Sequence, residues 1–313
     1  MRLDALCYPP MNQDVYHIPA LLGQTIRALD IKPGGRYVDA TYGGGGHSRA
    51  ILERLGSDGR LYAFDQDIEA LERATPDVRL VLIHGNFRFL SNFLRYYQSG
   101  PVDGILADLG VSFHHFDDSS RGCSFRSDGP LDMRMNRSAR LTAADIVNGY
   151  SAERLADLLY IYGELRQSRR VAAALVKARS ESPITTTDRL LQVVSPLVSP
   201  KQQKKELAQI FQALRIEVNG ELQALEDFLS QATGALRPGG RLAIITYHSL
   251  EDRMVKNYMR TGNIEGRADK DFYGRVNAPL RPLGSKPTVP DQAEIDRNPR
   301  SRSAKLRVAE RID

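Results

Sequence analysis

The sequence predicts an α/β fold, a parallel sheet wound with helices that is interrupted by an all-helical insert and resumes after it. Three observations predict it. Through residues 16–109 short apolar runs alternate with helical patterns, as parallel βαβ units require. Residues 142–218 carry helical spacing alone: Leu155, Leu158, Leu159 and Tyr162, then Val171, Leu175 and Val176. An apolar run at residues 241–248 then restores the strand pattern.

The first strand spans residues 36–40 and is entered through the turn Pro33-Gly34-Gly35. Strands at 61–65, 79–84 and 102–108 follow, with helices at 48–55, 68–74 and 89–98 in the gaps. Thr142 stands where a helix N-cap is needed, and Ser182-Pro183 breaks the helical run. Leu222, Leu225, Phe228 and Leu229 share one helix face, and that helix stops at Arg237-Pro238-Gly239-Gly240. The C-terminal stretch is rich in Pro, Gly and Arg and reads as loop until alternation near Leu306 and Val308 marks a closing strand. The expected organisation is a flexible arm at residues 1–14, a discontinuous domain formed by 15–140 and 219–313, and a helical insert at 141–218.

With 313 residues, 42% hydrophobic and 26% charged, the chain can bury a large core and has the composition of a cytosolic globular protein. No apolar run approaches the roughly 20 residues that span a bilayer, and residues 1–14 lack the apolar centre of a signal peptide. Cys7 and Cys123 fit no metal-ligand spacing, so two reduced thiols and no metal are expected. The net charge of +5 permits an anionic partner, and its distribution is more telling. Arg121, Arg126, Arg134, Arg137 and Arg140 crowd one central stretch; Arg297, Arg300, Arg302, Lys305, Arg307 and Arg311 crowd the C-terminus.

The sharpest local signal follows the first strand: Asp39-Ala40-Thr41-Tyr42-Gly43-Gly44-Gly45-Gly46-His47-Ser48. Glycines between a strand and a helix let backbone approach a ligand and adopt positive φ, and the helix N-terminus behind them favours an anionic group. A tight turn alone does not need four. The loop departs from G-x-G-x-x-G, since Ser48 takes the third place, and no Gly-Lys-Ser/Thr follows. Asp65 ends the second strand, where a carboxylate accepts from ribose hydroxyls of adenosyl-methionine and of NAD alike. Phe87, after the third strand, is placed to cover an adenine, with a core role as the competing reading. Asp108 ends the fourth strand and completes a row of strand ends along the ligand-binding edge.

Several longer strings resemble the RsmH (MraW) family. They are Tyr16-His17-Ile18-Pro19, the glycine loop, Asp108-Leu109-Gly110-Val111-Ser112 and Gly129-Pro130-Leu131-Asp132-Met133-Arg134-Met135. They continue with Phe211-Gln212-Ala213-Leu214-Arg215-Ile216, Tyr247-His248-Ser249-Leu250-Glu251-Asp252-Arg253 and Asn298-Pro299-Arg300-Ser301-Arg302-Ser303. The resemblance covers nearly the whole chain. It implies a Rossmann-like class I methyltransferase sheet broken by a helical domain, and S-adenosyl-methionine as cofactor. The implied reaction is methylation of the N4 amine of a decoding-centre cytidine in 16S rRNA of the small ribosomal subunit. The implied cofactor residues are Gly44, Gly45, Gly46, His47, Asp65, Phe87, Asp108 and His115, where His115 stands in the place of a glutamine in many relatives.

On that reading Asp108 accepts from the amine and His248, past the fifth strand, accepts the proton or orients the base; a satisfied structural histidine is the alternative. A base must leave its stack to be methylated, and arginine and aromatic planes receive it. Arg121, Arg126 and Arg134 are therefore expected near the base, with Arg300 and Arg302 on phosphates or in a disordered tail. The substrate partner is rRNA, a homodimer is left open, and a cytoplasmic location is expected. Two rival readings are a nicotinamide-dependent dehydrogenase and a non-catalytic RNA-binding assembly factor.

Overall fold

The computed structural model describes residues 19–110 and 118–312; His115 and the expected arm at 1–14 lie outside the described residues. Helix α1 (Leu22–Leu29) precedes β1 (Arg36–Asp39), followed by α2 (Gly46–Leu52), β2 (Arg60–Asp65), α3 (Ile68–Glu72), β3 (Leu80–His84), α4 (Leu90–Tyr96) and β4 (Val102–Asp108). Between β4 and β5 come α5 (Ala143–Gly149), α6 (Ala152–Ile161), α7 (Ser168–Glu181), α8 (Thr187–Val194), α9 (Gln203–Asn219) and α10 (Glu221–Ala235). The chain closes through β5 (Leu236–Thr246), α11 (Ser249–Thr261), β6 (Leu280–Pro282), α12 (Gln292–Arg297) and β7 (Lys305–Arg311).

The strands form one sheet in the order β3-β2-β1-β4-β5-β7-β6. The β3-to-β5 part is parallel, while β7 runs antiparallel to β5 and β6 antiparallel to β7. Both faces are covered, so these strands read as apolar runs rather than as alternation. In β4 every residue is buried, with Ile105 and Ala107 facing one core cluster and Leu106 the other. Tyr37 and Val38 of β1 split the same way. Phe228 of α10 is fully buried on the first face, where its ring meets Phe87 edge-on at 5.1 Å.

The helices α5 to α9 build a separate apolar cluster around Ile146, Leu155, Leu175, Leu190 and Phe211. Thr142 does cap α5: its hydroxyl accepts from Asp145 N, and the Asp145 carboxylate takes the Thr142 amide in return. Such a box satisfies two of the donors a helix start leaves open. Ser182 ends α7, just before Pro183. The loop after β4 is fastened to α9 by Asn219, which accepts from Met135 N at 2.8 Å and donates to Met133 O at 2.9 Å.

Three expectations change. Strand β5 begins at Leu236, so Arg237-Pro238-Gly239-Gly240 is an irregular stretch of strand and not a helix stop, with Gly239 at φ +75° and a register shift opposite Val102 and Gly104. It ends at Thr246, which leaves Tyr247 and His248 just beyond the sheet. The C-terminal stretch is not loop until Leu306, because it holds β6, α12 and a 3-10 turn at Pro299–Ser303.

Phe228→Ala removes the ring on which this face of the sheet and Phe87 both pack. Urea unfolding should show a loss of about 3–5 kcal/mol; an unchanged midpoint would show that the face is held elsewhere.

Candidate functional site

In an open α/β sheet ligands bind beyond the carboxyl ends of the strands, where the strand order reverses. Here that point lies between β1 and β4, and a cleft of about 980 Å³ opens there. Thr41 to Gly44, Asp65, Phe87 and Asp108 line its sheet side; Phe125, Arg126, Phe211 and Arg215 line the side facing the helices.

The glycine loop is shaped by its own packing as much as by any ligand. Gly43 and Gly45 have φ of +52° and +71°, where a side chain is strained. A Cβ on Gly45 would stand 2.6 Å from the Tyr42 hydroxyl, and one on Gly46 would stand 2.2 Å from Pro19 Cγ. Gly44 lines the cleft and Gly45 does not. The expectation that Gly45 leaves room for a ligand is thus corrected: it leaves room for Tyr42.

Carboxylates end three neighbouring strands, and each is tied to the loops beside it. Asp65 Oδ2 accepts from Gly43 N at 2.8 Å and Oδ1 from Asp67 N at 2.9 Å. Asp108 Oδ1 accepts from Gly110 N at 3.0 Å, while its own amide donates to Thr41 Oγ1 at 2.7 Å. Asp39, which the sequence reading did not single out, is fully buried beneath the loop. It accepts from Ser48 Oγ at 2.7 Å and from Thr41 N at 3.1 Å. Burial pushes its carboxyl up to about 7, against the pull of the Ser48 and Thr41 hydrogen bonds and with a further push from Asp108 and Asp65.

His47 is buried, and desolvation lowers its imidazole to about 4. Nε2 lies 3.2 Å from Ala20 O, so the neutral ring donates there and turns the bare Nδ1 toward Asp108 Oδ2, 3.8 Å away. That approach is a polar contact and not an ion pair, since the ring carries no charge near neutral pH. His47 meets the cleft from behind the loop.

Beyond β5, the Tyr247 hydroxyl is hydrogen-bonded to Asp108, and burial first, then the Asp108 charge, raise the phenol so that it stays a donor. His248 is the N-cap of α11: Nδ1 accepts from Glu251 N at 3.4 Å, and the Glu251 carboxylate takes the Tyr247 and His248 amides. Nε2 stands 3.0 Å from Glu251 Oε1 but without hydrogen-bond alignment, which leaves it a buried nitrogen with no partner. Glu221, His248 and Glu251 bring ligand atoms within 4.8 Å of one another, and Arg215 grips Glu221 at 2.9 and 3.0 Å. Arg215 and Glu221 were missed as site residues, although Arg215 lay in a quoted string. Phe87 lines the cleft and packs on Phe228, combining both roles weighed for it.

The arginines divide. Arg121 is buried, 3.3 Å from Asp67, and donates to the carbonyls of Arg134 and Met135. Arg134 holds Asp132 through two bonds of 2.7 Å and the carbonyls of Arg137 and Ala139, outside the cleft lining. Both clamp the loop after β4, which corrects the expectation that they meet RNA. Arg126, Arg300 and Arg302 do line the cleft and are exposed. The last two sit on a turn anchored by buried Ser301, not on a disordered tail. Lys305 and Arg307 are spent on Asp252, at 3.4 and 2.7 Å. Cys123 is buried and its thiol pushed up to about 11, which makes it unreactive.

A sheet of this order with an antiparallel β7, a glycine turn after β1 and a carboxylate ending β2 is the class I methyltransferase fold. The sequence matches the model of the MraW methylase family over residues 14–312, and the chain belongs to that family. It is 59% identical to the ribosomal RNA small subunit methyltransferase H of Bacteroides thetaiotaomicron over 296 residues, 95% of this chain and 97% of that one. It is 53% identical to the protein of the same name from Porphyromonas gingivalis (strain ATCC 33277) over 309 residues, 97% of this chain and 99% of that one. Among the described residues no helix is long and apolar enough to cross a membrane.

Two measurements check this geometry. Gly45→Ala should weaken cofactor binding and stability together, because Tyr42 must move, and Tyr42→Ala in the same chain should restore part of both. Calorimetry on the double variant decides. The second measurement is of stability against pH. His47 has its folded pKa below the unfolded 6.5, so its contribution is lost as pH falls from about 6.5 toward 4. Asp39 has its folded pKa above the unfolded 3.8, so its contribution grows over the same fall, and the two offset each other. His47→Gln should therefore gain about 2 kcal/mol relative to wild type between pH 7 and pH 5. A constant difference at both pH values would contradict a buried neutral His47.

Proposed function

We propose that this protein transfers a methyl group from S-adenosyl-methionine to the N4 amine of a decoding-centre cytidine in 16S rRNA. The observation that carries the proposal is full-length membership of the MraW methylases, with relatives named ribosomal RNA small subunit methyltransferase H at up to 59% identity. The dehydrogenase reading fails on that membership, and the antiparallel β7 is foreign to the dinucleotide sheet.

The cleft fits the cofactor. Its volume of about 980 Å³ suits a nucleoside ligand with a base beside it. Asp65 is the acceptor for ribose hydroxyls, Phe87 a wall for adenine, and the Gly43–Gly44 backbone the seat of the methionine end. His47 and Gly46 hold that seat from behind. When bound, S-adenosyl-methionine supplies an electrophilic methyl on a sulfonium. The chain's part is to hold a weak nucleophile in line, an alignment worth up to roughly 7–11 kcal/mol in ideal cases.

Cytosine N4 is weak because its lone pair is delocalised into the ring. Acceptors on its two protons favour a pyramidal nitrogen, and carboxylates are natural partners of that amine. Asp108, oriented by the Gly110 amide and the Tyr247 hydroxyl, is the acceptor at the methyl position. His248 serves as orienting group, since its unpartnered Nε2 asks for a hydrogen bond in the cleft. Phe125 and Phe211, edge-on at 5.7 Å, offer apolar cover to an extruded base. Arg126, Arg300 and Arg302 on the rim meet phosphates. In this reading residues 141–218 form a recognition insert in the methyltransferase domain of 15–140 and 219–313, and the enzyme works in the cytoplasm on the small ribosomal subunit.

Labelled S-adenosyl-methionine offered with deproteinised rRNA and with intact small subunits should yield N4-methylcytidine; no transfer to either, or label on another atom, overturns the proposal. Asp65→Ala should raise the cofactor Kd about tenfold to hundredfold, as expected for loss of a charged acceptor. Asp108→Ala should lower kcat more than it weakens RNA binding, and normal turnover at saturation would remove it from the chemistry.

A further inference from the structure

The most exposed aromatic residues of the protein lie far from the cleft. Phe272 is 98% exposed and Tyr273 81%, adjacent at the tip of a turn between α11 and β6, with ring centroids 5.6 Å apart at 88°. The turn is built to hold them there. Lys270 and Val276 bridge antiparallel, and Asp271 N donates to Arg275 O at 2.9 Å. The Asp271 carboxylate accepts from Tyr273 N and Arg275 N at 2.9 and 2.8 Å, and Gly274 supplies φ +78°. Placing two large apolar rings in water has no folding benefit, so the tip is shaped for a partner.

Its position follows from the topology. Helix α11 starts beside the cleft at His248 and runs back along the sheet for 13 residues, about 20 Å at 1.5 Å per residue. Strand β6 is antiparallel to β7 and so parallel to β5, and pairs with Ala309 to Arg311, the end of β7 away from the cleft. The turn therefore projects from the amino-terminal edge of the sheet, opposite the catalytic edge.

We propose that the Phe272–Tyr273 turn is a second docking point for the RNA substrate, on which unpaired bases stack. The proposal rests on the reading that the substrate is an rRNA, which is large enough to reach both edges. Edge-on rings each present a free face, and exposed aromatic faces on a basic framework accept bases of any sequence. Arg267, Lys270 and Arg275 are exposed around the tip. They face Glu265 and Asp269, while the Asp271 carboxylate is turned into the backbone, so the outward charge is one net positive. A cation excess beside bare aromatic faces favours RNA over an acidic or apolar protein surface.

The test is the double variant Phe272→Ala/Tyr273→Ala, whose side chains contribute nothing to the core. Its S-adenosyl-methionine affinity should equal wild type, while its Kd for deproteinised small-subunit rRNA should rise at least tenfold. Phe272→Trp/Tyr273→Trp should bind that RNA as wild type does or more tightly. An unchanged Kd for the alanine variant overturns the proposal. So does a loss seen on intact subunits and not on naked rRNA, which would make the partner a ribosomal protein. Binding and methylation are read separately: a wild-type protein that binds rRNA through this turn yet methylates no cytidine would sink the reading of the cleft and leave this one standing.

Discussion

Three carboxylates held at the ends of adjacent parallel strands, in a site that excludes water, set the conditions for everything around them. Like charges this close repel, and burial penalises each, so each must be compensated by its own donors. Asp65 and Asp108 are compensated mainly by backbone amides, including those of Gly43 and Gly110, and so fix the loops that follow β1 and β4. Asp39 lies deepest, and part of its compensation is a proton of its own, since its carboxyl titrates at about 7. The glycine loop is thus strung between Asp39 below, Asp65 beside it and Tyr42 and Pro19 behind it. Its shape is a property of the fold before any ligand arrives.

The topology makes that arrangement unavoidable. With β1 between β2 and β4, residues Asp39, Asp65 and Asp108 end neighbouring strands. The register pairs Asp39 with Ala63 on one side and Leu106 on the other, staggering the carboxyls so that Asp39 sits one step inside the others. A cationic methyl donor is the chemistry such an edge favours. The opposite wall comes from α9 and the start of α10, which lets the helical cluster place Phe211, Arg215 and Glu221 against the sheet edge. Two cores of different construction therefore meet across one cleft.

Much of this was legible in the sequence, for physical reasons. Strands buried on both faces must be apolar throughout, and that marks β1, β2 and β4 without alignment. Thr142 followed by Asp145 announces a helix start, because open amides need side-chain acceptors. The glycine loop, Asp65 and Asp108 were legible because strand ends are where such sheets bind ligands. Other features depend on partners that the linear order hides. Asp39 looks like any strand-end acid until Ser48, nine residues on, returns over it. The burial of Arg121 needs Asp67, 54 residues away, so it reads as surface charge. Arg134 was the avoidable error, since Asp132 stood two residues off. His248 ahead of Glu251 carries the spacing of a capping box, masked because histidine is an uncommon cap. Strand β6 escapes because three residues cannot show a period.

The central claim is that the cofactor seat is set from beneath, by side chains that do not line the cleft: neither Asp39 nor Ser48 lines it. The most direct measurement is calorimetric titration of S-adenosyl-methionine into wild type and into Ser48→Ala, with the fold of the variant verified by its circular dichroism. Removing that hydroxyl leaves Asp39 short of a donor and frees the loop above it. The account predicts a Kd at least tenfold higher in a folded protein, and an unchanged Kd would contradict it.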